Sequence, residues 1–156
     1  MRIVIRFLAV QDVVDFALQE LRARSPVGSG GDQHPGLYRD SHTVFLNGHV
    51  VQGSDVSAWR PGDQINIANP VPYSRKIEAG GAKFSVPGHV YEQTAQVVAS
   101  RYGNRVAVKF TFMPVSFGDV AAFAAFSRRI RPGRKLSNKA RRDWLVRQPA
   151  LEIKGR

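Results

Sequence analysis

A chain of 156 residues with 43% apolar side chains has room for one compact domain with a real core, plus a tail. It has no cysteine, which excludes disulfides and thiolate chemistry, and no apolar run of about 18 residues, which argues against a helical membrane span. The formal charge of +11 is unevenly placed: residues 127–156 hold eleven Lys or Arg against Asp143 and Glu152, which is +9 of the total.

The first apolar stretch, residues 3–10, is interrupted by Arg6 and followed by Asp12 and Asp15 without a small-residue cleavage site, so a signal peptide is not expected. Residues 2–8 alternate enough for a short strand and equally can open the first helix. Residues 12–24 read as an amphipathic helix. Asp12 is its expected cap, Val14, Ala17, Leu18 and Leu21 form its stripe, Arg22 and Arg24 suit its last turn, and Pro26 stops it. A glycine-rich loop follows over residues 25–36. No strand precedes it and no Lys-Ser/Thr pair follows it, so it is not a nucleotide-binding loop.

Residues 43–52 predict a hairpin. Val44, Phe45 and Leu46 lead into Asn47-Gly48, the preferred pair for a two-residue type I′ turn, and Val50 and Val51 lead out. Ile65 and Ile67 mark a strand over residues 64–68. Residues 71–78 are short and mixed, a turn of helix between prolines and Gly80-Gly81. A second helix is expected over residues 86–102, with Pro87 in its first turn, Tyr91, Ala95, Val98 and Tyr102 as its stripe, and Gly103 as its stop. Residues 105–113 predict a strand with Val106, Val108, Phe110 and Phe112 on one face. A short helix is expected at 120–126, and the remainder reads as basic and irregular. The fold expected is therefore α+β: an antiparallel sheet with two helices packed on one face, in a domain of residues 1–113, plus a basic C-terminal extension over residues 114–156.

Chemistry-bearing patterns are sparse. His34, His42, His49 and His89 read as surface or loop histidines, and within the expected hairpin Leu46 faces His49 while His42 would face Gly53. No nucleophile elbow or metal-helix motif is present. The carboxylates mostly fall where a cap, a turn or a solvated face accounts for them, so neither a catalytic site nor a metal site is expected.

Three segments carry a resemblance. The first is Arg24-Ser25-Pro26-Val27, continued after the glycine loop by Gly36-Leu37-Tyr38-Arg39-Asp40-Ser41. The second runs from Ile67-Ala68-Asn69-Pro70 through Tyr73-Ser74-Arg75-Lys76-Ile77-Glu78-Ala79-Gly80. The third is Val90-Tyr91-Glu92-Gln93-Thr94-Ala95. In order and spacing over residues 12–113 they resemble the tail-component family of long-tailed bacteriophages, which includes tail-completion proteins similar to the lambda Z protein. Ser74 departs from the Ala usual there, and Gly81 from the Thr that often follows the glycine. The resemblance implies a non-enzymatic structural virion protein of the head–tail junction, without cofactor. Its implied partners are copies of itself in a cyclic ring and adjoining neck, tail-terminator or tail-tube proteins. Host cytoplasm during assembly, then the virion, is the implied location, and no membrane is involved. A tail terminator and a small basic nucleic-acid-binding protein are the alternatives.

Within that reading, Leu37, Tyr38, Tyr73, Arg75 and Glu78 are candidate subunit-interface residues. For Leu37 and Tyr38 the competing role is a loop anchor on the hairpin, and Tyr73 with Ile77 can instead close the core. The basic segment, with Arg128, Arg129, Arg131, Arg134, Lys135, Lys139, Arg141 and Arg142, is expected either to dock on an acidic protein ring or to contact packaged DNA. Trp144 is its nearby aromatic anchor. A solvated tail is the third possibility.

Overall fold

The computed structural model describes residues 2–26, 36–71, 74–79, 89–115 and 146–155. Helix α1 spans Arg2–Arg24. From Val10 onward it buries Val10, Val13, Val14, Ala17, Leu18 and Leu21, the stripe that a 3.6-residue period places on one face. The ambiguity over residues 2–8 resolves to helix. Asp12 is therefore an exposed position inside α1 rather than its cap, because no Gly or Pro breaks the helix upstream of it. Arg22 and Arg24 lie in the last turn, where the helix dipole favours cations, and Arg24 pairs with Glu20.

A one-turn helix α2 covers Leu37–Asp40. It follows Gly36, which sits at φ 80°, and a Cβ there would meet the Arg39 guanidinium at 2.9 Å. Strands β1 (Thr43–Leu46) and β2 (His49–Val50) form the expected hairpin. Asn47 at φ 50° and Gly48 at φ 83° supply the two positive φ values a type I′ turn requires, and Leu46 faces His49 as anticipated. The pairing does not extend back to His42. The loop after β2 is tied to α1 by Gln11, whose amide donates to Ser54 O at 2.7 Å and accepts from Val56 N–H at 3.2 Å. This seats Val56 and Trp59 in the core.

Strand β3 is Gln64–Ala68, helix α3 is Ser74–Ala79, helix α4 is Val90–Tyr102, strand β4 is Val106–Pro114 and strand β5 is Arg147–Gly155. The helix expected over residues 120–126 lies outside the described residues, whereas the expected start of α4 at residue 86, with Pro87 in its first turn, is corrected: the helix begins at Val90. His89, the residue before α4, stands in the left-handed region at φ 63°, a conformation that ends the helix there.

The sheet is five-stranded and antiparallel, in the order β2-β1-β3-β5-β4. Its register puts Val44, Ile65, Ile67, Ile153, Leu151, Val108 and Phe110 on one face. There they pack beneath α1 and α4 in a single apolar cluster. The fold is thus α+β with two helices on one face of an antiparallel sheet. The opposite face carries Asn66, Glu152 and Lys109 in a polar row, the last two paired at 3.1 Å. A small apolar patch of Phe45, Ala68, Ala150 and Val115 lies at one end of that face.

The C-terminal strand corrects the expected domain boundary. Residues 147–155 are not part of an appended tail. They form the strand between β3 and β4, pairing Ile65 with Ile153 and Ile67 with Leu151 on one side, and Phe110 with Leu151 on the other. Leu151 and Ile153 are fully buried. Pro149 is compatible with this position because it lies one residue beyond the ladder to β3, where, among the described residues, β5 pairs with β4 alone. Among the described residues, no helix is long and apolar enough to cross a membrane.

Candidate functional site

The end of the sheet where β3 finishes and β1 begins collects the C-terminus of α1, helix α2, the segment 69–71 and the first turns of α4. Their meeting point is His42. It is buried, against the expectation of a surface or loop histidine, because its ring replaces water with protein partners on both nitrogens. Ser25 Oγ donates to Leu21 O at 2.6 Å, so the 2.7 Å contact between Ser25 and His42 has Nε2–H of His42 donating to Ser25. That leaves Nδ1 as the acceptor, and Tyr91 O–H donates to it at 2.7 Å. Asn69 Nδ2 approaches the same nitrogen at 3.3 Å and donates to Tyr38 O at 2.8 Å. Tyr38 and Tyr91 meet the imidazole edge-on, with centroids 4.9 and 5.5 Å away.

The electrostatics follow from this enclosure. Burial, reinforced by the positive charge of Arg22 and opposed by Asp40, lowers His42 to a pKa of about 3, so the ring is neutral at physiological pH. Burial likewise pushes the Tyr91 hydroxyl well above its ordinary value and keeps it a donor. Ser25 and His42 make a hydroxyl–imidazole pair, but the serine proton is committed to Leu21 O and both partners are buried. The pair works as a structural clasp of α1, β1, β3 and α4. The cleft beside it, lined by Asp15, Arg22, Asp40 and Ser54, mixes both signs of charge.

A second joint ties α3 to α4. The Glu78 carboxylate accepts from Tyr91 N–H at 2.8 Å and Glu92 N–H at 3.0 Å, and Glu78 O accepts from His89 N–H at 2.8 Å. It therefore caps the first turn of α4 from another helix, where unpaired N–H groups and the helix dipole favour an anion. Burial raises its pKa, and the two backbone hydrogen bonds work in the other direction. Glu78, His89 and Glu92 bring one ligand-type atom each within 4.8 Å of one another. Both Glu78 oxygens are already occupied by helix N–H groups, and the positive end of α4 opposes a cation. The cluster is accounted for as a cap, with His89 pairing to Glu92 at 2.9 Å.

Two of the five candidate interface residues face inward. Tyr38 and Glu78 are 2% and 5% exposed, so their side chains serve the core and the α4 cap and have almost no surface to offer a neighbour. Leu37 is half-buried and packs on the core, in line with the loop-anchor alternative, and Ile77 closes the core. Arg75 is half-buried, with its pKa lowered by burial and by nearby Arg147. Tyr73 lies outside the described residues, as do Arg128, Arg129, Arg131, Arg134, Lys135, Arg141, Arg142 and Trp144. Sequence reasoning missed His42, Asn69 and Ser25. Their partners are 17 to 49 residues away, and no local period links them.

Comparison of the chain with protein-family models, with curated proteins and with solved structures finds no match.

Proposed function

We propose that the protein is a structural subunit of the head–tail junction of a long-tailed bacteriophage, a tail-completion or neck protein. On this reading it acts without catalysis, by assembling as a ring with copies of itself and with adjoining neck, tail-terminator or tail-tube proteins. The observation that carries the reading is the convergence of the three segments on which the family resemblance rests. Asn69 of the second holds Tyr38 of the first at 2.8 Å, and Glu78 of the second caps the first turn of α4, which holds Tyr91 of the third. Segments far apart in sequence thus build one unit at one end of the sheet, as parts of a shared fold would.

Among the described residues, the exposed large apolar side chains are Val50 at 53% and Phe112 at 41%, and they also favour assembly. They lie on β2 and β4, the opposite edges of the sheet, and contacts through two different surfaces generate rings when the rotation closes. The burial of His42 and the prior commitment of the serine proton give the Ser25–His42 pair a structural role, which is in keeping with this reading.

The test has two parts. Native mass spectrometry of the purified chain should give a closed oligomer, alone or on addition of neck components. Labelled protein in intact particles should locate to the neck. A monomer under all these conditions, or label on the capsid surface or the distal tail tip, contradicts the proposal.

A further inference from the structure

Strand β4 is an edge of the sheet, and its register fixes which of its backbone groups are already used. Val115 N–H donates to Val146 O in the same register that pairs Met113 with Gln148 and Thr111 with Ala150, so the odd-numbered residues of β4 exchange main-chain hydrogen bonds with β5. The even-numbered Val108, Phe110 and Phe112 therefore turn their N–H and C=O groups away from β5. Among the described residues no strand lies on that side.

Folded proteins commonly blunt such an edge by making it short, bulged, or guarded by proline or lysine. The opposite edge, β2, is two residues long. β4 has nine residues in unbroken register with β5 from Val106 to Pro114, and its proline stands last. Its lysine does not guard it. Lys109 lies on the face opposite the helices, where it pairs with Glu152 at 3.1 Å. On the helix side the strand carries Val108, Phe110 and Phe112. The two rings meet edge-on with centroids 5.3 Å apart, and Phe112 remains 41% exposed. An open ladder is thus lined by apolar side chains.

We propose that the free edge of β4 pairs antiparallel with β4 of a second copy of this chain, about a two-fold axis through Phe110, continuing the sheet from one molecule into the next. The strand is self-complementary about that point. Val108, Phe110 and Phe112 each donate and accept one main-chain bond, with Val108 opposite Phe112 of the second copy and Phe110 opposite its own equivalent. The helix side of the seam becomes a row of aromatic and β-branched pairs, which stabilise neighbouring strands. On the other side Lys109 meets Thr111 and Ala107 meets Met113, so no like charges face each other. Neighbouring registers are poorer. An axis at Lys109 opposes two lysines, and an axis at Thr111 sets Val108 against Pro114, which has no N–H to give. That fit of the strand to itself favours a second copy over an unrelated extended segment. The contact is isologous and goes beyond the ring contacts proposed above.

The experiment is sedimentation equilibrium of the full-length chain from about 1 to about 100 μM, where the mass should rise from 17.3 kDa to twice that value. Each copy carries a net +11, so association should tighten as salt screens the repulsion. Phe112→Pro removes an outward N–H and none that bonds β5. It should leave the far-UV circular dichroism unchanged and raise the dimer Kd about tenfold or more. The chain has no cysteine, so single cysteines report the register. Phe110→Cys should give a disulfide-linked dimer on mild oxidation. Ala107→Cys, exposed on the same strand but far from its equivalent across the axis, should not.

A chain that stays monomeric to about 100 μM, or association that weakens as salt rises, overturns the proposal. So does a folded Phe112→Pro variant that dimerises as tightly as the parent, or equal cross-linking at positions 107 and 110. If Phe112→Pro does not fold, the two cysteine variants decide. No virion component enters the assay, so its failure leaves the neck proposal standing, and label found elsewhere in a particle leaves the pair standing.

Discussion

Lowering the pH should loosen this fold through one residue. His42 is neutral in the folded state, with a pKa of about 3 against 6.5 for an unhindered histidine. Between those values the unfolded chain binds a proton that the folded chain refuses, so stability rises with pH across that window. It is fully present above pH 6.5 and is lost progressively as pH falls towards 3. At roughly 1.4 kcal/mol per pH unit, the loss attributable to His42 is about 3 kcal/mol at pH 4.5, with a ceiling of about 5 kcal/mol. The geometry gives the same sign. A proton on Nδ1 would confront the Tyr91 hydroxyl and the Asn69 amide, both of which donate to that nitrogen.

Other groups titrate in acid too. The carboxyls of Asp40, Asp55 and Asp63 lie below their ordinary range, so their contribution is lost mainly below about pH 4, and Glu78, raised by burial, acts with the opposite sign. The comparison with His42→Gln cancels them. Glutamine can still donate to Ser25 but cannot take up a proton, and it leaves Tyr91 O–H without its acceptor, at a cost of about 1–3 kcal/mol near neutrality. Urea denaturation at several pH values from 7.5 to 4.5 should give two curves that converge or cross as pH falls. Parallel curves separated by a constant offset would refute the claim that this histidine is held neutral.

Glu78→Ala should destabilise the protein by about 1–3 kcal/mol in a thermal or urea melt, since it leaves the buried Tyr91 N–H and its neighbour on Glu92 without a cap, while Glu92→Ala, on the exposed side of the same turn, should cost under 1 kcal/mol. Gly48→Ala should cost about 1 kcal/mol by the same measurement. A Cβ there meets no atom within 4 Å, so the penalty is purely that of φ 83° and not of crowding.

What could be read from the sequence was local. Asn47-Gly48 states a turn type in two residues, and the α1 stripe and the alternation of β4 each repeat often enough to be seen without knowing their partners. The site was illegible for the complementary reason. Ser25, Asn69 and Tyr91 are unremarkable individually, and only the crossing of α1, β3 and α4 makes them the partners of one imidazole. Glu78 read as a surface or interface residue because the helix it caps begins twelve positions later, a relation no capping motif within one helix describes. Strand β5 was hidden by its setting. Arg147, Pro149 and Lys154 read as the end of a basic tail, and the alternation that identifies a strand rests on Leu151 and Ile153.

That hidden strand determines how the domain closes. β3 and β4 do not pair with each other; β5 joins them, with five register pairs to β3 and nine to β4. Without it, the unit built from β1, β2 and β3 and the unit built from α4 and β4 would share the apolar layer beneath α1 but no continuous ladder. The core would also lose Leu151 and Ile153, each contributing about 2–3 kcal/mol of burial. Those two side chains amount to about 4–6 kcal/mol, comparable to the whole stability of many domains. A chain truncated after residue 145 should therefore lose cooperative unfolding in a calorimetric melt, and a peptide of residues 146–156 added in trans should restore it. Ile153→Ala in the intact chain should cost about 2–5 kcal/mol, as for any core strand. If the truncated chain melted cooperatively near the intact temperature, residues 147–155 would be an accessory to the sheet and not the strand that closes it.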